Sequence, residues 1–300
     1  MQFGKVAVLM GGKAAEREIS LRSGQAVTDA LIRQGIDAVA CDVSTIAELN
    51  EIAKTYDRAF IALHGRWGED GTVQAILDDL GLPYTGSGMT ASAIAMDKLR
   101  TKWLWQGAGL PTPKFLWVSD AQPFEATQFS IPFPVIVKPS HEGSSIGMRK
   151  VNCLDDLADA VEYAQQFDSE VLIEQWITGS EYTAAVLNGK ALPLIELKTS
   201  HEFYDFDAKY KSNDTQYICP CALDAGLEQQ IQQLILQAFD VVGAKTWGRV
   251  DVMLDANNQP WLIELNSVPG MTDHSLVPMA AKVSGQTFEQ LVANILKSTL

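Results

Sequence analysis

Two periods of apolar residues alternate along the first third of the chain. "KVAVLMGG" and "RAFIALHG" are continuous apolar runs that close on glycines, the pattern of strands buried on both faces. "DAVACDV" reads as another strand. Between them, "SLRSGQAVTDALIRQG" carries apolar residues at helical spacing and stops at Gly35. "TVQAILDDLG" is helical in the same way, and "LPYTG" reads as a short strand. Strands alternating with helices predict an α/β fold that opens with a parallel, doubly wound domain over residues 1–96.

The pattern then changes. A helix over residues 97–107 leads into the proline-rich "GLPTPKF". The strands "FPVIVKPS" and "GMRKV" flank a glycine-serine loop, "EGSSIG", and "LDDLADAVEYAQQF" and "EVLIEQWI" follow as helix and strand. These predict a small α+β lobe at 97–178. The remainder, 179–300, holds the strands "EYTAAVLN", "KALPLIEL", "GRVDVMLD" and "PWLIELN" with two helices. "HEFYDFDAKYKSNDTQYICP" has no period, and a loop that long inside a compact domain is usually functional or mobile.

Charged residues break two of these apolar strands. Arg249 and Asp251 stand at i and i+2 in "GRVDVMLD", as Glu264 and Asn266 do in "PWLIELN", so each pair shares a face. If the strands pair, Asp251, Glu264 and Asn266 converge. Two carboxylates and an amide oxygen suit a hard cation such as Mg2+. The alternative is a salt bridge from Arg249 to one acid. Two charged sets inside apolar strands favour the metal, because buried charges need strong partners.

No GxxxxGK[ST] loop is present to hold phosphate. "GSSIG" at 143–147 offers backbone N–H groups and hydroxyls instead, and Lys138, in an apolar strand, calls for an anion. "TGSGMTA" at 85–91 matches G-x-G-x-x-A, but no acid follows at the right distance, so it reads as a tight turn into a helix. Glu16 lies past the carboxyl end of the first strand, where such sheets bind ligands. It suits a substrate ammonium or, equally by position, a helix dipole. His64 holds the equivalent place after another strand, where a lone histidine is more often structural.

Composition narrows the partners. A net charge of −14 over 300 residues argues against nucleic acid and anionic membrane. Residues 1–13 hold only a short apolar run, without a leader's hydrophobic core, and no apolar stretch nears the roughly 20 residues of a membrane span. The cysteines at 41, 153, 219 and 221 fit no zinc spacing and read as reduced thiols, mostly core filler, in a cytoplasmic protein.

Ten motifs occur in order: "AVLMGG…AERE", "ALHGRWGEDG", "LPYTGSG", "MDK", "VIVKPSHEGSSIGM", "EYTAAV", "FYDFDAKY", "GRVDVMLD", "IELNSVPGMT" and "HSLVPMAA". Together they resemble the D-alanine–D-alanine ligase family, ATP-grasp enzymes of bacterial peptidoglycan synthesis, over essentially the whole chain. The resemblance implies an N-terminal α/β domain followed by a two-lobed ATP-grasp fold. It implies ATP-driven joining of two D-alanines through an acyl phosphate, two Mg2+ ions with Mn2+ as a substitute, and a homodimer.

The resemblance also implies roles. Lys98, Lys138 and Lys209 would contact ATP, with Ser144 and Ser145 in the lid over its phosphates. Glu174, Trp176 and Ile177 would hold the adenine, and Glu181 the ribose. Asp251, Glu264 and Asn266 would bind the metals. Arg249 and the Gly270 N–H would stabilise an oxyanion. Glu16, beside His64, would hold the first D-alanine's ammonium. Ser275, Leu276 and Lys209 would take the second D-alanine. Tyr210 would bond Ser144 and Glu16 and close the long loop. The chain departs from the family pattern at Ala14, Trp67, His141, Gln175, Ser267 and Val268. Rival readings are a ligase making D-alanyl-D-lactate, which Tyr210 argues against, a nucleotide sensor without turnover, and a nicotinamide dehydrogenase built on "GSGMTA".

Overall fold

The computed structural model describes residues 3–125, 127, 129–199, 215–272 and 274–300. Lys209 and Tyr210 lie outside the described residues. The chain opens with β1 (Val6–Gly11), α1 (Arg17–Arg33), β2 (Ala38–Val43), α2 (Ile46–Thr55) and β3 (Arg58–Ile61). The three strands form a parallel sheet in the order β2-β1-β3, as the alternating pattern predicts. "LPYTG" contributes one bridge, Ala59 to Tyr84, because the chain turns at Gly86 with φ 95°. Helix α2 had escaped the periodicity. A reciprocal cap fixes it: the Glu48 N–H donates to the Thr45 hydroxyl, and the Thr45 N–H donates to the Glu48 carboxylate.

Next come α3 (Thr72–Asp79), α4 (Met89–Met96) and α5 (Lys98–Gly107). "TGSGMTA" is indeed a turn into a helix, α4. A second sheet, ordered β4-β7-β5-β6, holds β4 (Phe115–Val118), β5 (Val135–Pro139), β6 (Arg149–Val151) and, after α6 (Leu157–Gln165), β7 (Val171–Gln175). Val135, Val137, Val171 and Ile173 on one face pack with Leu157 and Val161 of α6. Ile136, Lys138, Leu172 and Glu174 therefore occupy the opposite face.

The third sheet runs β11-β10-β8-β12-β13, with β9 paired to β8. Its strands are β8 (Gly179–Leu187), β9 (Lys190–Ala191), β10 (Ile195–Lys198), β11 (Gln216–Ile218), β12 (Trp247–Asp255) and β13 (Pro260–Asn266). The expected single strand "KALPLIEL" is two, β9 and β10, divided at Leu192–Leu194 around a proline that cannot donate to a ladder. Tyr182, Ala184, Val250, Val252 and Leu262 pack against α7 (Ala225–Val241) in one core.

Among the described residues of this last part, three helices rather than two are found, α7 followed by α8 (Leu276–Val283) and α9 (Phe288–Leu296). Leu276, Val277, Leu291 and Ile295 of α8 and α9 join the core of the first sheet. Arg33 pairs with Glu289 at 2.9 Å, and Arg58 donates to the Thr299 carbonyl at 2.6 Å. All four cysteines are free; Cys221 is buried in a core, Cys41 and Cys219 are half-buried against one, and Cys153 is exposed.

Candidate active site

Strands β12 and β13 pair antiparallel, with Arg249 opposite Asn266 and Asp251 opposite Glu264. The convergence expected from the i/i+2 spacing is realised. A bulge follows at once, since Val252 pairs with Leu262. Ile263 is the extra residue. Without it, Leu262 would fall on the polar face; with it, Leu262 returns to the core while Glu264 and Asn266 stay above the sheet. Thr183 of β8 lies opposite Asp251, which puts Glu181 on the same face two residues away.

The salt bridge weighed from sequence is present as well. Arg249 donates from Nε and one terminal nitrogen to the two Asp251 oxygens, both at 2.8 Å. The Thr183 hydroxyl donates to Asp251 at 2.5 Å and the Asn266 amide at 3.2 Å. Asp251 is thus fixed and largely neutralised. These four bonds, two on each oxygen, fill the lone pairs of Asp251, so a cation there would displace one of the donors, while Asn266 keeps its amide oxygen. The ligand atoms that Asp251, Glu264 and Asn266 can offer are oxygens, so the set fits a hard divalent cation. The Lys98 ammonium stands 3.8 Å from Glu264.

Lys98 begins α5 and its ammonium donates to the Glu142 carbonyl at 2.6 Å, at the foot of the glycine-serine loop. Ser144 and Ser145 in that loop both have positive φ, 53° and 59°. Left-handed residues other than glycine carry a conformational cost of the kind that clusters at ligand sites. Lys138 is buried, 3.0 Å from Glu174, and Lys102 lies 2.7 Å from the same Glu174 oxygen. Burial pushes the Glu174 carboxyl up, but the two lysine charges outweigh it and hold it below its ordinary value. One oxygen of the Glu174 side chain, expected at the adenine, thus meets both lysines. Ile177 is buried close by in sequence, and Trp176 stacks under the Lys150 ammonium at 4.4 Å.

Glu16 precedes α1 at its N-cap position, yet its side chain makes no cap bond. Its carboxylate accepts from the Ser144 hydroxyl at 3.0 Å, so it is turned to the glycine-serine loop and not to the start of its own helix. Two glycines leave it room. A Cβ at Gly65 would come 2.5 Å from one Glu16 oxygen, and one at Gly143 would come 2.7 Å from the other. His64 is buried, with both ring nitrogens bonded within the protein. One ring nitrogen bonds the Val268 carbonyl at 2.9 Å and the other the Ser23 hydroxyl at 3.1 Å, while Ser23 accepts from the Met271 N–H at 3.1 Å. Burial holds the imidazole down at about 4, so it is neutral and fixes the loop after β13. In that loop, a Cβ at Gly270 would stand 3.0 Å from the Ser275 hydroxyl, which accepts from the Thr272 N–H at 2.9 Å. Leu276 is buried beside it.

The chain is 69% identical to a D-alanine–D-alanine ligase of Hydrogenovibrio crunogenus, over 100% of this chain and 96% of that one. It belongs to the D-alanine–D-alanine ligase family. The family's models match residues 43–87 (D-ala D-ala ligase N-terminus) and 104–297 (D-ala D-ala ligase C-terminus). A solved D-alanine–D-alanine ligase from Bacillus anthracis complexed with ATP superposes with a TM-score of 0.89 at 31% identity, covering 99% of this chain and 97% of that one. A D-Ala:D-Ser ligase from Enterococcus faecalis superposes with a TM-score of 0.88 at 27% identity, covering 100% of both chains. The ATP-grasp fold expected from the motifs is therefore this chain's fold.

This ligase-family chain also contains site residues that the motifs did not single out. Thr183 anchors Asp251, Ser23 links His64 to Met271, and Lys102 shares Glu174. Two spacings could have pointed to them: Thr183 is two residues from Glu181 on one strand face, and Lys102 is four from Lys98 on one helix face.

Another departure from the family pattern, His141, sits in a clamp. Its ring bonds Asp168 at 2.8 Å and Asp97 at 3.2 Å, while Arg100 pairs with both Asp97 and Glu170. Asp97, His141 and Glu170 have the spacing of a metal trio, but Arg100 and the imidazolium already satisfy the acids. Bonds to Asp168 and Asp97 raise His141 to about 9. A raised histidine stabilises fully below its unfolded value near 6.5 and loses that contribution as pH climbs through about 9. The melting temperature of the wild type should therefore fall relative to that of His141→Gln between roughly pH 6.5 and 9. Parallel melting curves across that window would show that the clamp carries no charge.

Proposed function

We propose that this chain joins two D-alanines with ATP, for peptidoglycan synthesis, and that the face of β12 and β13 is where the chemistry occurs. The observation that carries this reading is the register that sets Asp251 against Glu264 and Arg249 against Asn266, beside Lys98. A carboxylate does not acylate an amine at neutral pH. ATP activates it: the carboxylate of the first D-alanine takes the terminal phosphoryl group, giving an acyl phosphate and ADP. The amine of the second D-alanine then attacks the acyl carbon, the carbon–oxygen bond to phosphate breaks with its electron pair going to phosphate, and the new amide nitrogen gives up a proton.

The chain's residues divide that work. Glu16, in its glycine-walled slot, holds the ammonium of the first D-alanine. Lys98 and Lys138 offset phosphate charge, and Ser144 and Ser145 cover the phosphates with their loop. Arg249 and the Gly270 N–H stabilise the oxyanion of the tetrahedral stage. Ser275 and Leu276, with Lys209, receive the second D-alanine. Glu181 takes the ribose, and Glu174, Trp176 and Ile177 the purine. Asp251, Glu264 and Asn266 would hold two Mg2+ ions, or Mn2+ in their place. Bound there, the ions supply charge neutralisation of the transferring phosphate. His64 acts as a positioning residue for the loop that presents Gly270, and Tyr210 closes the site from the long loop.

The three sheets support a division into units at 1–96, 97–178 and 179–300. A cytoplasmic homodimer is proposed on family grounds, and no helix among the described residues is long and apolar enough to cross a membrane. Phosphate release with Mg-ATP tests the function. Release is expected with D-alanine, together with a dipeptide, and not with L-alanine. D-lactate or D-serine, added beside D-alanine, should give no mixed product at neutral pH. A mixed product as the main one would change the second substrate, and no release with any of them would leave a nucleotide-binding shell.

A further inference from the structure

Among the described residues, Lys102 is the largest charged side chain that is fully buried, with a side-chain exposure of 0%. An ammonium buried that deeply is costly and is retained only with strong partners. Its partners are the Glu174 carboxylate at 2.7 Å and the Thr112 hydroxyl at 2.7 Å. Thr112 donates in turn to the Leu262 carbonyl at 2.9 Å, two residues before Glu264. The lysine is thus tied to the metal strand at one end and to the nucleotide slot at the other.

The stoichiometry at Glu174 is unusual. A single carboxylate oxygen faces two ammonium groups, Lys102 at 2.7 Å and Lys138 at 3.0 Å. One negative charge cannot neutralise both. We propose that Lys102 is a positioning residue for ATP: by engaging Glu174, it leaves the Lys138 ammonium in surplus for the triphosphate. The proposal rests on the reading that Lys138 meets the nucleotide phosphates. Without Lys102, Glu174 and Lys138 form a closed one-to-one pair inside the protein. A phosphate then has to compete with that pair for the same ammonium.

The missing charge acts on the bound nucleotide before and during reaction alike. Uniform loss of this kind raises KM and leaves kcat in place. Lys102→Met keeps the length of the side chain without its charge. Lys102→Gln keeps a donor for Glu174 and serves where the Met variant does not fold. Lys102→Arg restores the charge.

Phosphate release measured against ATP concentration, at saturating D-alanine and Mg2+, separates the outcomes. Lys102→Met and Lys102→Gln should raise KM for ATP by about tenfold with kcat within about twofold, as expected for one lost buried charge contact, and Lys102→Arg should recover most of the affinity. Lys138→Met, run in parallel, should raise KM as well. If Lys138→Met raises KM while Lys102→Met and Lys102→Gln do not, Lys102 only fills space and the proposal falls. If Lys138→Met also leaves KM unchanged, the phosphates do not meet Lys138, and both readings fall together. A drop in kcat at unchanged KM in the Lys102 variants also overturns it.

Discussion

Glu264→Gln is expected to fold normally and to release phosphate about a thousandfold more slowly than wild type, in the range seen when a group stabilising transferred charge is removed. The fold should survive because the Glu264 side chain is 24% exposed and points off the sheet, with the β12–β13 ladder passing through its backbone. Gln preserves the shape and one oxygen. What it removes is the negative charge opposite Asp251, which Arg249 already neutralises in large part. Glu264 is therefore the acid with most charge to offer a cation. Lys98, 3.8 Å away, would lose its counter-charge too. Turnover should recover partly at high Mg2+ concentration, since affinity for the ion falls first. Thermal melting and a Mg2+ titration of turnover check both halves. Turnover within a factor of ten of wild type would remove Glu264 from the metal site.

Arg249→Met has the second large effect, and it strikes stability as well as rate. Asp251 is buried, and it would keep only the Thr183 and Asn266 bonds. Breaking a buried ion pair from one side costs about 3–5 kcal/mol. The loss of oxyanion stabilisation slows turnover by a further factor of about 100–1000. Arg249→Lys separates the two effects. An ammonium restores charge to Asp251 and most of the stability, but it cannot reproduce the planar fork that sets both 2.8 Å bonds. Folded protein with low turnover is expected. A Lys variant at wild-type rate would reduce Arg249 to a structural partner of Asp251.

Much of this site was legible because strand geometry is local. The i/i+2 spacing of Arg249 with Asp251 and of Glu264 with Asn266 needed one added fact, that the strands pair. Contacts across the fold had no such local sign. His64 meets a carbonyl 204 residues away, and Ser144 meets Glu16 across 128. Lys102 stood on the same helix face as Lys98, but the anion that defines it is Glu174, which arrives on a different sheet. In the fold, continuous apolar strands such as Val6–Gly11 were plain. Helix α2 was not, since "IAELNEIAKT" buries only Leu49 and Ile52 and is held at its start by polar caps. Of the three described helices past residue 224 the pattern gives two, because the apolar faces of α8 and α9 serve a core begun at the other end of the chain.

That shared core sets an order of events in the cell. The strands of the first sheet leave the ribosome early, while α9 is made about 230 residues after β3. At about 5–20 residues per second, the interval is roughly 10–50 s. During it, the apolar flank that Leu291, Val292 and Ile295 later cover has no cover of its own. The yield of folded enzyme then depends on how fast the message is translated, and on what holds the nascent chain meanwhile, as well as on the stability of the finished molecule.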